Sequence, residues 1–315
     1  MPNLGDTGEF GVISRLTAGR VPGADVQLGP GDDAAVVRAP DSRVLVSTDM
    51  LVQDRHFRLD WSSPSDIGRK AVAQNAADIE AMGGRVTAFV VAVGAPAETD
   101  IAFLDQLNDG IWAEAARVQA SVAGGDLVAA RELVISVTAL GDLQGRAPVT
   151  RGGATVGDTV ALCGALGTSA AGLRLWQDGI DEFPQLRAVH LVPSPPYGQG
   201  AVAARAGATA MTDVSDGLLA DLGHIAESSA VRIDLSSSNM EPYLVPLAGA
   251  AGLLGADPWE WIFTGGEEHA LVATFPDEVP AGWIPIGQVT AGQTGMTVDG
   301  APWTRATGWD SFRLS

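Results

Sequence analysis

The sequence predicts a mixed α/β (α+β) protein of two domains, each of which contains both helices and strands. Segments of β-branched, apolar residues alternate with segments of helical periodicity in both halves of the chain. The 315 residues suggest two domains or one large one, and a Gly- and Pro-rich run at 141–157 is the best linker candidate. We therefore expect an N-terminal domain over residues 1–142 and a C-terminal domain over residues 143–315.

The N-terminal half begins its pattern with a strand and a long helix. Residues 44–48 predict a strand that ends at Asp49 and delivers polar groups at its C-terminal end. Residues 65–82 predict a helix with Ser65 as the N-cap and with Asp78 near its last turns. Further strands are predicted at 87–93 and 133–140, with an amphipathic helix at 101–120 between them.

The C-terminal half repeats this mixture of elements without any sequence repeat of fixed period. Strands are predicted at 159–163, 210–213 and 268–274, and helices at 169–177, 201–206 and 218–228. The strand at 210–213 leads into the turn Asp-Val-Ser-Asp-Gly at 213–217, which a helix follows.

The composition excludes several classes of partner. The hydrophobic fraction is 46% and the charged fraction 18%, values that suit a globular protein with a sizeable core. A net charge of −19 argues against binding to nucleic acid or to an anionic membrane surface. Lys70 is the only lysine, and its surroundings (Gly-Arg-Lys-Ala) are not those of a phosphate-binding P-loop.

The single cysteine and the N-terminus indicate a cytoplasmic protein. Cys163 lies in a predicted buried strand, and one cysteine cannot form a disulfide within the chain, which fits a reducing compartment. Asp6 and Glu9 interrupt any signal-peptide apolar segment. No apolar run reaches the length of a membrane span, so we expect no membrane association.

Three short acidic segments lie far apart in the sequence, at 31–33, 124–126 and 213–217. Asp49 and Asp78 lie in similar surroundings of small residues, and few Lys or Arg residues lie beside any of these carboxylates. A fold that gathers them needs an external cation, and hard divalent metals prefer such oxygen ligands. Because Mg²⁺ usually acts together with phosphates, the pattern predicts a Mg²⁺-nucleotide enzyme.

Each motif is weak when taken alone. An isolated Gly-Asp-Asp is most often an ordinary turn, in which Asp bonds to the local backbone. The four histidines do not have the spacing of zinc ligands, and the lone thiol has no catalytic setting; the histidines are His56, His190, His224 and His269.

The ordered combination of motifs is much more specific, and it resembles the thiamine-monophosphate kinase family of the aminoimidazole-ribonucleotide-synthetase-like superfamily. The resemblance extends from Gly8 to Asp310. The motifs that carry it are, in chain order, Gly31-Asp32-Asp33, Ser47-Thr48-Asp49, His56-Phe57, Asn75-Ala76-Ala77-Asp78, Gly124-Gly125-Asp126, Asp213-Val214-Ser215-Asp216-Gly217, Gly265-Gly266-Glu267 and Trp309.

The resemblance implies an ATP-dependent phosphotransferase that converts thiamine monophosphate to thiamine diphosphate, with several Mg²⁺ ions as cofactors. It implies a homodimer formed by the N-terminal domain, and a C-terminal domain that completes the site. The matching metal ligands are Asp33, Ser47, Thr48, Asp49, Asp78, Asp126, Asp213 and Asp216. The matching ATP contacts are Gly125, Asp126, Arg151 and Ser215, and the matching substrate contacts are His56, Glu267 and Trp309.

The chemistry of these residues agrees with the implied reaction. Each Mg²⁺ takes only one or two carboxylates, so six candidate carboxylates imply more than one ion. Arg151 suits bidentate phosphate binding, and Trp309 offers a flat ring to a cationic thiazolium or a pyrimidine. The acceptor phosphate has a second pKa of about 6, so it is already a nucleophile near neutral pH, and no dedicated catalytic base is expected.

Two other interpretations stay open from the sequence. One is a superfamily relative, either an ATP-dependent cyclo-ligase or a selenophosphate synthetase; the latter commonly needs an N-terminal cysteine, which is lacking here. The other is a non-catalytic nucleotide-binding or maturation-scaffold protein, against which the retention of every acidic motif argues. The chain departs from the family at Arg117-Val118, where an aromatic residue is frequent, and at Glu268-His269 in place of Asp-Tyr.

Overall fold

The computed structural model describes residues 3–30, 34–303 and 308. The chain divides into two compact units, the first formed by Met1–Ile79 and Gly84–Gly145 and the second by Glu80–Gly83 and Arg146–Ser315. Helices and strands occur together in both units, which confirms the predicted α/β (α+β) class. No helix in the described part of the chain is long and apolar enough to cross a membrane.

The first unit is built on a four-stranded sheet. Its helices are α1 (Leu4–Thr7), α2 (Glu9–Thr17), α3 (Pro64–Ala81, whose last two residues belong to the second unit) and α4 (Ile101–Arg117). Its strands are β1 (Val26–Leu28), β2 (Val36–Val37), β3 (Leu45–Val52), β4 (Arg85–Ala95), β5 (Ser121–Ala129) and β6 (Val134–Asp142). The sheet has the order β3-β6-β4-β5, so β3 and β5 are its two edges, and only β4 and β5 run parallel.

The two faces of this sheet differ sharply in exposure. Leu51, Ile135 and Val137 are buried on the face that packs against helices. On the opposite face, Val46 is 63% exposed and Met50 is 53% exposed. Because side chains alternate along a strand, these two sets point to opposite sides of the sheet. The described part of the first unit therefore has a sheet face that is apolar and uncovered.

Two details of the first unit differ from the sequence predictions. Strand β3 does not end at Asp49, because Met50–Val52 continue to pair with β6. The long helix begins at Pro64, with Ser63 and not Ser65 before its first turn. The Ser63 hydroxyl accepts a hydrogen bond from the Asp66 amide, and the Asp66 carboxylate accepts one from the Ser63 amide, which is a reciprocal capping box.

The second unit is built on a seven-stranded sheet of order β13-β12-β9-β11-β7-β10-β8. Its strands are β7 (Thr159–Cys163), β8 (Ala210–Asp213), β9 (Arg232–Leu235), β10 (Leu271–Phe275), β11 (Ile284–Thr290), β12 (Gly295–Val298) and β13 (Ala301–Pro302). Its helices are α5 (Thr168–Gln177), α6 (Pro184–Leu191), α7 (Gln199–Arg205), α8 (Leu218–Ser229), α9 (Ser237–Met240), α10 (Ala248–Leu254) and α11 (Pro258–Thr264), with a 3₁₀ turn at Glu241–Leu244.

Both faces of this sheet are covered. In β7, Val160 and Leu162 belong to one apolar cluster, and Ala161 and Cys163 to another on the opposite face. Strand β10 is buried at every position. A strand buried on both faces is uniformly apolar, as the sequence of β7 is. Strands β7 and β8 have the bounds that the sequence predicted.

Helices α3 and α4 pack closely because glycine lies at their contact. A Cβ atom on Gly110 would lie 2.1 Å from the Ser65 carbonyl oxygen, and one on Gly68 would lie 2.2 Å from the Leu107 carbonyl oxygen. Both distances are impossible without moving a backbone. The separation of the two helices therefore depends on the missing side chains.

We expect Gly110→Ala to lower the melting temperature, with a loss of roughly 1–3 kcal/mol from overpacking. Gly223→Ala is the matched control, because a Cβ on that glycine in α8 would meet no atom within 4 Å. The control should be neutral or stabilising by up to about 1 kcal/mol, since alanine favours a helix interior. Thermal unfolding followed by circular dichroism measures both, and equal effects would contradict the packing argument.

Candidate functional site

In the first unit, three of the predicted metal ligands meet where α3 packs on β3. The Ser47 hydroxyl donates to the Asp78 carboxylate at 2.5 Å. The amide of Asp49, two residues along the same strand, donates to the side-chain oxygen of Asn75 at 3.0 Å. Strand alternation places Ser47 and Asp49 on the same face. The structure thus brings a hydroxyl and two carboxylates together at one edge of the sheet.

Asn75, which the sequence predictions named only within the motif Asn75-Ala76-Ala77-Asp78, connects α3 to β3. It is fully buried, and its side-chain nitrogen donates to the Ala71 carbonyl at 2.9 Å while its oxygen binds β3. Asparagine costs helix stability relative to the alanines around it. The sequence contained one indication of this role. A polar amide side chain stands inside a run of small residues, which suits a position that anchors another segment.

Thr48 and Asp126 lie apart from this group. The Thr48 hydroxyl donates to the Val137 carbonyl and accepts from Thr138, next to the uncovered sheet face. Asp126 lies on β5, at the opposite edge of the sheet from Asp49. Three strand spacings correspond to about 14 Å along the sheet. Asp49 and Asp126 of one chain therefore cannot coordinate the same ion.

The prediction that a strand ends at Asp49 is wrong, and Asp126 likewise lies in the interior of its strand. Asp126 pairs with Ala92, and its carboxylate accepts a bond from the next amide, that of Leu127, at 3.0 Å. Gly125 has a packing reason to be glycine, because a Cβ there would lie 1.9 Å from the Val91 carbonyl oxygen.

His56 lies in the turn after β3 and is held from two sides. Its Nδ1 accepts the Val52 amide at 3.0 Å, so the proton of the neutral ring is on Nε2. Its carbonyl oxygen accepts from Lys70 Nζ at 2.9 Å, and Lys70 is almost completely buried. The only lysine of the chain therefore supports the turn that carries His56.

In the second unit, the turn at 213–217 lies directly against the segment that contains Glu267. Strand pairing places Asp213 opposite Leu271, and the Glu267 amide donates to the Ser215 carbonyl at 2.7 Å. The structure thus brings together predicted ligands that are about fifty residues apart in the sequence, here Asp213, Ser215, Asp216 and Glu267.

The carboxylates of this turn repel one another. Burial raises the pKa of Asp216, and the charge of Asp213 raises it further. Burial also raises the pKa of Asp221, to about 7, with the charge of Asp213 as the second cause. His269 Nδ1 donates to Asp213 at 3.0 Å, and both side chains are buried. A cation bound here would relieve the repulsion.

The chemistry of both groups fits Mg²⁺, although no cluster is complete. Within the described residues, no three His, Cys, Asp or Glu side chains are arranged to hold one metal. Mg²⁺ needs only one or two carboxylates, with water and phosphate oxygens as its other ligands. Asp49 with Asp78 and Asp213 with Asp216 each provide such a pair of oxygen donors.

Four predicted site residues remain, and two of them lie in the described part of the chain. Arg151 is exposed, and its Nε lies 3.4 Å from the Thr212 hydroxyl, next to Asp213 in β8. The Glu267 carboxylate is 3.4 Å from Nδ1 of the buried His190. Asp33 and Trp309 lie outside the described residues.

Comparison with known proteins identifies the class of protein to which this chain belongs. The family model for the N-terminal domain of AIR synthase related proteins matches residues 31–143, and that for the C-terminal domain matches residues 155–298. The two matched segments fall one in each half of the chain.

More specific relatives are found over nearly the full length. The thiamine-monophosphate kinase of Mycobacterium tuberculosis is 61% identical over 311 residues, which cover 99% of this chain and 93% of that protein. The crystal structure of thiamine-monophosphate kinase from Stenotrophomonas maltophilia K279a is 33% identical, with a TM-score of 0.78 and coverage of 92% of this chain and 95% of that one. The structure of AaThiL complexed with AMPPCP and TMP is 28% identical, with a TM-score of 0.79 and coverage of 98% of both chains.

The chain therefore belongs to the AIR synthase related proteins and, among them, to the thiamine-monophosphate kinase family. This confirms the resemblance that the ordered motifs indicated.

Glu268 provides a test of the buried electrostatics beside Glu267. Burial raises its pKa to about 7, although the Ser169 amide and the Thr168 hydroxyl donate to its carboxylate. The pKa of an unfolded-chain glutamate is about 4.3. The folded protein therefore binds this proton more tightly, and the stability gained from it is present below about pH 4.3 and lost as the pH rises through 7.

We expect Glu268→Gln to become more stable relative to the unaltered protein as the pH rises from 5 to 8, because Gln keeps an acceptor and does not ionise. The difference in melting temperature should change by roughly a few degrees across that range. The exposed Glu241→Gln should show no such change and serves as the control. A difference for Glu268→Gln that is independent of pH would contradict the raised pKa.

Proposed function

We propose that this protein transfers the terminal phosphoryl group of ATP to thiamine monophosphate, giving thiamine diphosphate and ADP. The observation that carries the proposal is the 61% identity to a thiamine-monophosphate kinase over 99% of the chain. The related structure complexed with AMPPCP and TMP supports the same pair of substrates. The reaction is the last step in the formation of thiamine diphosphate.

In the proposed site, Mg²⁺ ions neutralise the phosphate charges of ATP and of the acceptor. Asp49 and Asp78 suit this role because the Ser47 hydroxyl and the Asn75 side-chain amide, both neutral groups, hold their strand and helix together. Asp213 and Asp216 suit it because their mutual repulsion favours a bound cation. The other proposed ligands are Asp33, Ser47, Thr48 and Asp126.

The proposed ATP contacts are Gly125, Asp126, Arg151 and Ser215. Arg151 contributes a permanently charged guanidinium, which suits a phosphate oxygen pair. Gly125 is exposed, so its backbone is accessible to a ligand. Positioning and charge neutralisation supply the catalysis in this scheme, since the acceptor phosphate is already an anion.

The proposed contacts to thiamine monophosphate are His56, Glu267 and Trp309. A binding role for His56 is supported by its hydrogen bond from Val52, because Nδ1 is occupied and Nε2 carries the proton in the neutral ring. Such a ring presents a donor to a phosphate and not a general base. A carboxylate such as Glu267 suits a cationic thiazolium or an aminopyrimidine.

We also propose a homodimer formed through the uncovered sheet face of the first unit. Val46, Met50 and Val128 are each more than half exposed, a density of apolar groups that is typical of an interface. Strands β3 and β5 are the edges of this sheet, and sheet edges commonly pair with another chain. A second copy is the partner most consistent with the resemblance.

We also propose a cytoplasmic location, which accords with the buried, unpaired Cys163.

The direct test is turnover. With Mg²⁺ and ATP, the purified protein should convert thiamine monophosphate to thiamine diphosphate with one ADP formed per product. Thiamine itself, which lacks the acceptor phosphate, should give no product. Chromatography of the thiamine species and of the nucleotides measures both. ATP consumption without thiamine diphosphate would exclude this function and favour another member of the superfamily.

Asp49→Asn tests the proposed metal role. The variant keeps the side-chain volume and the bond from its backbone amide to Asn75 but removes the charge. We expect kcat to fall by about two decades, the scale for losing one electrostatic stabiliser. Asp54→Asn is the control, because Asp54 is exposed in the turn that follows the same strand. A rate near that of the unaltered protein would remove Asp49 from the site.

The dimer is tested by light scattering at micromolar concentration, which should give twice the chain mass of 32.3 kDa. The double substitution Val46→Glu with Met50→Glu should give the monomer mass, because it places charges on the proposed interface. Val245→Glu should leave the mass unchanged, since Val245 is 78% exposed in the other unit. A monomeric unaltered protein with full activity would refute the proposed assembly.

A further inference from the structure

Asp221 is a buried carboxylate that the family assignment leaves without a role. It lies in the first turns of α8 and is only 2% exposed. Its Oδ2 accepts three successive backbone amides, those of Ser215 at 3.0 Å, Asp216 at 3.1 Å and Gly217 at 3.1 Å. One side-chain oxygen thus holds the part of the turn that carries Ser215 and Asp216, two of its three proposed site residues.

Three successive amides that converge on one point form a nest of the kind that binds phosphate in other proteins. Here the anion in the nest is the protein's own carboxylate. The preceding amide, of Val214, is also used, because it donates to the Ala270 carbonyl at 2.8 Å. Every backbone amide from Val214 to Gly217 is therefore bonded within the protein.

This arrangement restricts what the turn presents to a nucleotide. A phosphate oxygen cannot bind these amides without displacing Asp221, which is buried. The turn is also held from the other side, because its Ser215 carbonyl accepts the Glu267 amide at 2.7 Å. The half-buried side chains of Ser215 and Asp216 are left as the groups that can reach a ligand.

We propose that Asp221 is a positioning residue for phosphoryl transfer: it fills the anion nest of the turn at 213–217, fixes Ser215 and Asp216, and thereby directs nucleotide phosphate to a cation on Asp216 rather than to the backbone. The proposal rests on the proposed function for the identity of the nucleotide. It attributes the effect of Asp221 to the position of one acceptor oxygen and not to its charge.

The expected size of the effect on kcat and on nucleotide affinity follows from the geometry. A displacement of about 1 Å at a positioning residue costs up to about a hundredfold in rate. Loss of the acceptor releases three amides, and Ser215 and Asp216 are then held only by the bond from the Glu267 amide to the Ser215 carbonyl and by the bonds of Val214. The affinity for Mg²⁺-nucleotide should weaken together with kcat, because the same side chains serve both.

Three substitutions separate position from charge. Asp221→Asn keeps an oxygen at the same distance from the backbone and removes the charge. Asp221→Glu keeps the charge and moves the oxygen by one methylene. Asp221→Leu has a similar volume and has no acceptor.

Asp158→Leu is the matched control. Asp158 is also 2% exposed, lies in the same unit and accepts three hydrogen bonds, from the Thr155 amide, the Thr155 hydroxyl and the Thr209 hydroxyl. It has no hydrogen bond to the turn at 213–217 among the described residues. Asp158→Leu therefore measures how the removal of a buried carboxylate elsewhere in this unit affects stability, Kd and kcat.

Two readouts are needed for each variant: the Kd of Mg²⁺ with the non-hydrolysable analogue AMPPCP by calorimetry, and kcat and KM with thiamine monophosphate. We expect Asp221→Asn to stay within about fivefold of the unaltered protein in Kd and kcat. Asp221→Glu and Asp221→Leu should lose at least about tenfold in both. Asp158→Leu should lower the melting temperature and leave Kd and kcat within about twofold.

The outcomes distinguish this proposal from the proposed function. Unaltered protein that binds Mg²⁺-AMPPCP but does not phosphorylate thiamine monophosphate refutes the function, while the calorimetry still tests Asp221. The positioning role would be overturned in favour of charge if Asp221→Asn were as impaired in Kd and kcat as Asp221→Glu. It would also be overturned if Asp221→Glu equalled the unaltered protein in both. If Asp221→Leu does not fold, the Asn and Glu variants decide. Absence of Mg²⁺-AMPPCP binding by the unaltered protein would overturn both proposals.

Discussion

The organisation of both units depends on keeping carboxylates close together in a chain that already carries a net charge of −19. Two of them accept hydrogen bonds from neutral donors. A serine hydroxyl binds Asp78, and three backbone amides bind Asp221. A Lys or Arg partner would position a carboxylate equally well but would neutralise it. Neutral donors fix the positions of these side chains without adding a permanent positive charge.

The exception is Asp213, whose carboxylate accepts a hydrogen bond from His269. Asp213 is also the charge that raises the pKa of both Asp216 and Asp221. A histidine at this point supplies a donor that need not be permanently charged. His269 is also one of the positions at which the sequence departs from the motif pattern that it resembles.

The ordered motifs were sufficient to predict the family, because the residue types and their order along the chain reflect the chemistry of the site. They were insufficient to predict where each of these residues lies within its strand. The sequence predicts that the strand ends at Asp49, because aspartate has a low propensity for β-strands. Yet Met50–Val52 pair with β6 and carry the strand past it. Asp126 likewise lies inside β5, because Leu127 behind it is buried and keeps the segment in the sheet.

The sequence by itself determined the mixed class, the bounds of strands β7 and β8, and the family to which the chain belongs. These follow from local composition, which is readable without knowing which segments meet. Only the tertiary structure decided that Ser47 lies beside Asp78 while Asp126 lies at the far edge of the sheet, and that Asn75 and Asp221 hold the site residues. Those relations depend on strand order and on packing between segments, and long-range pairing has no local signature in the residues that take part.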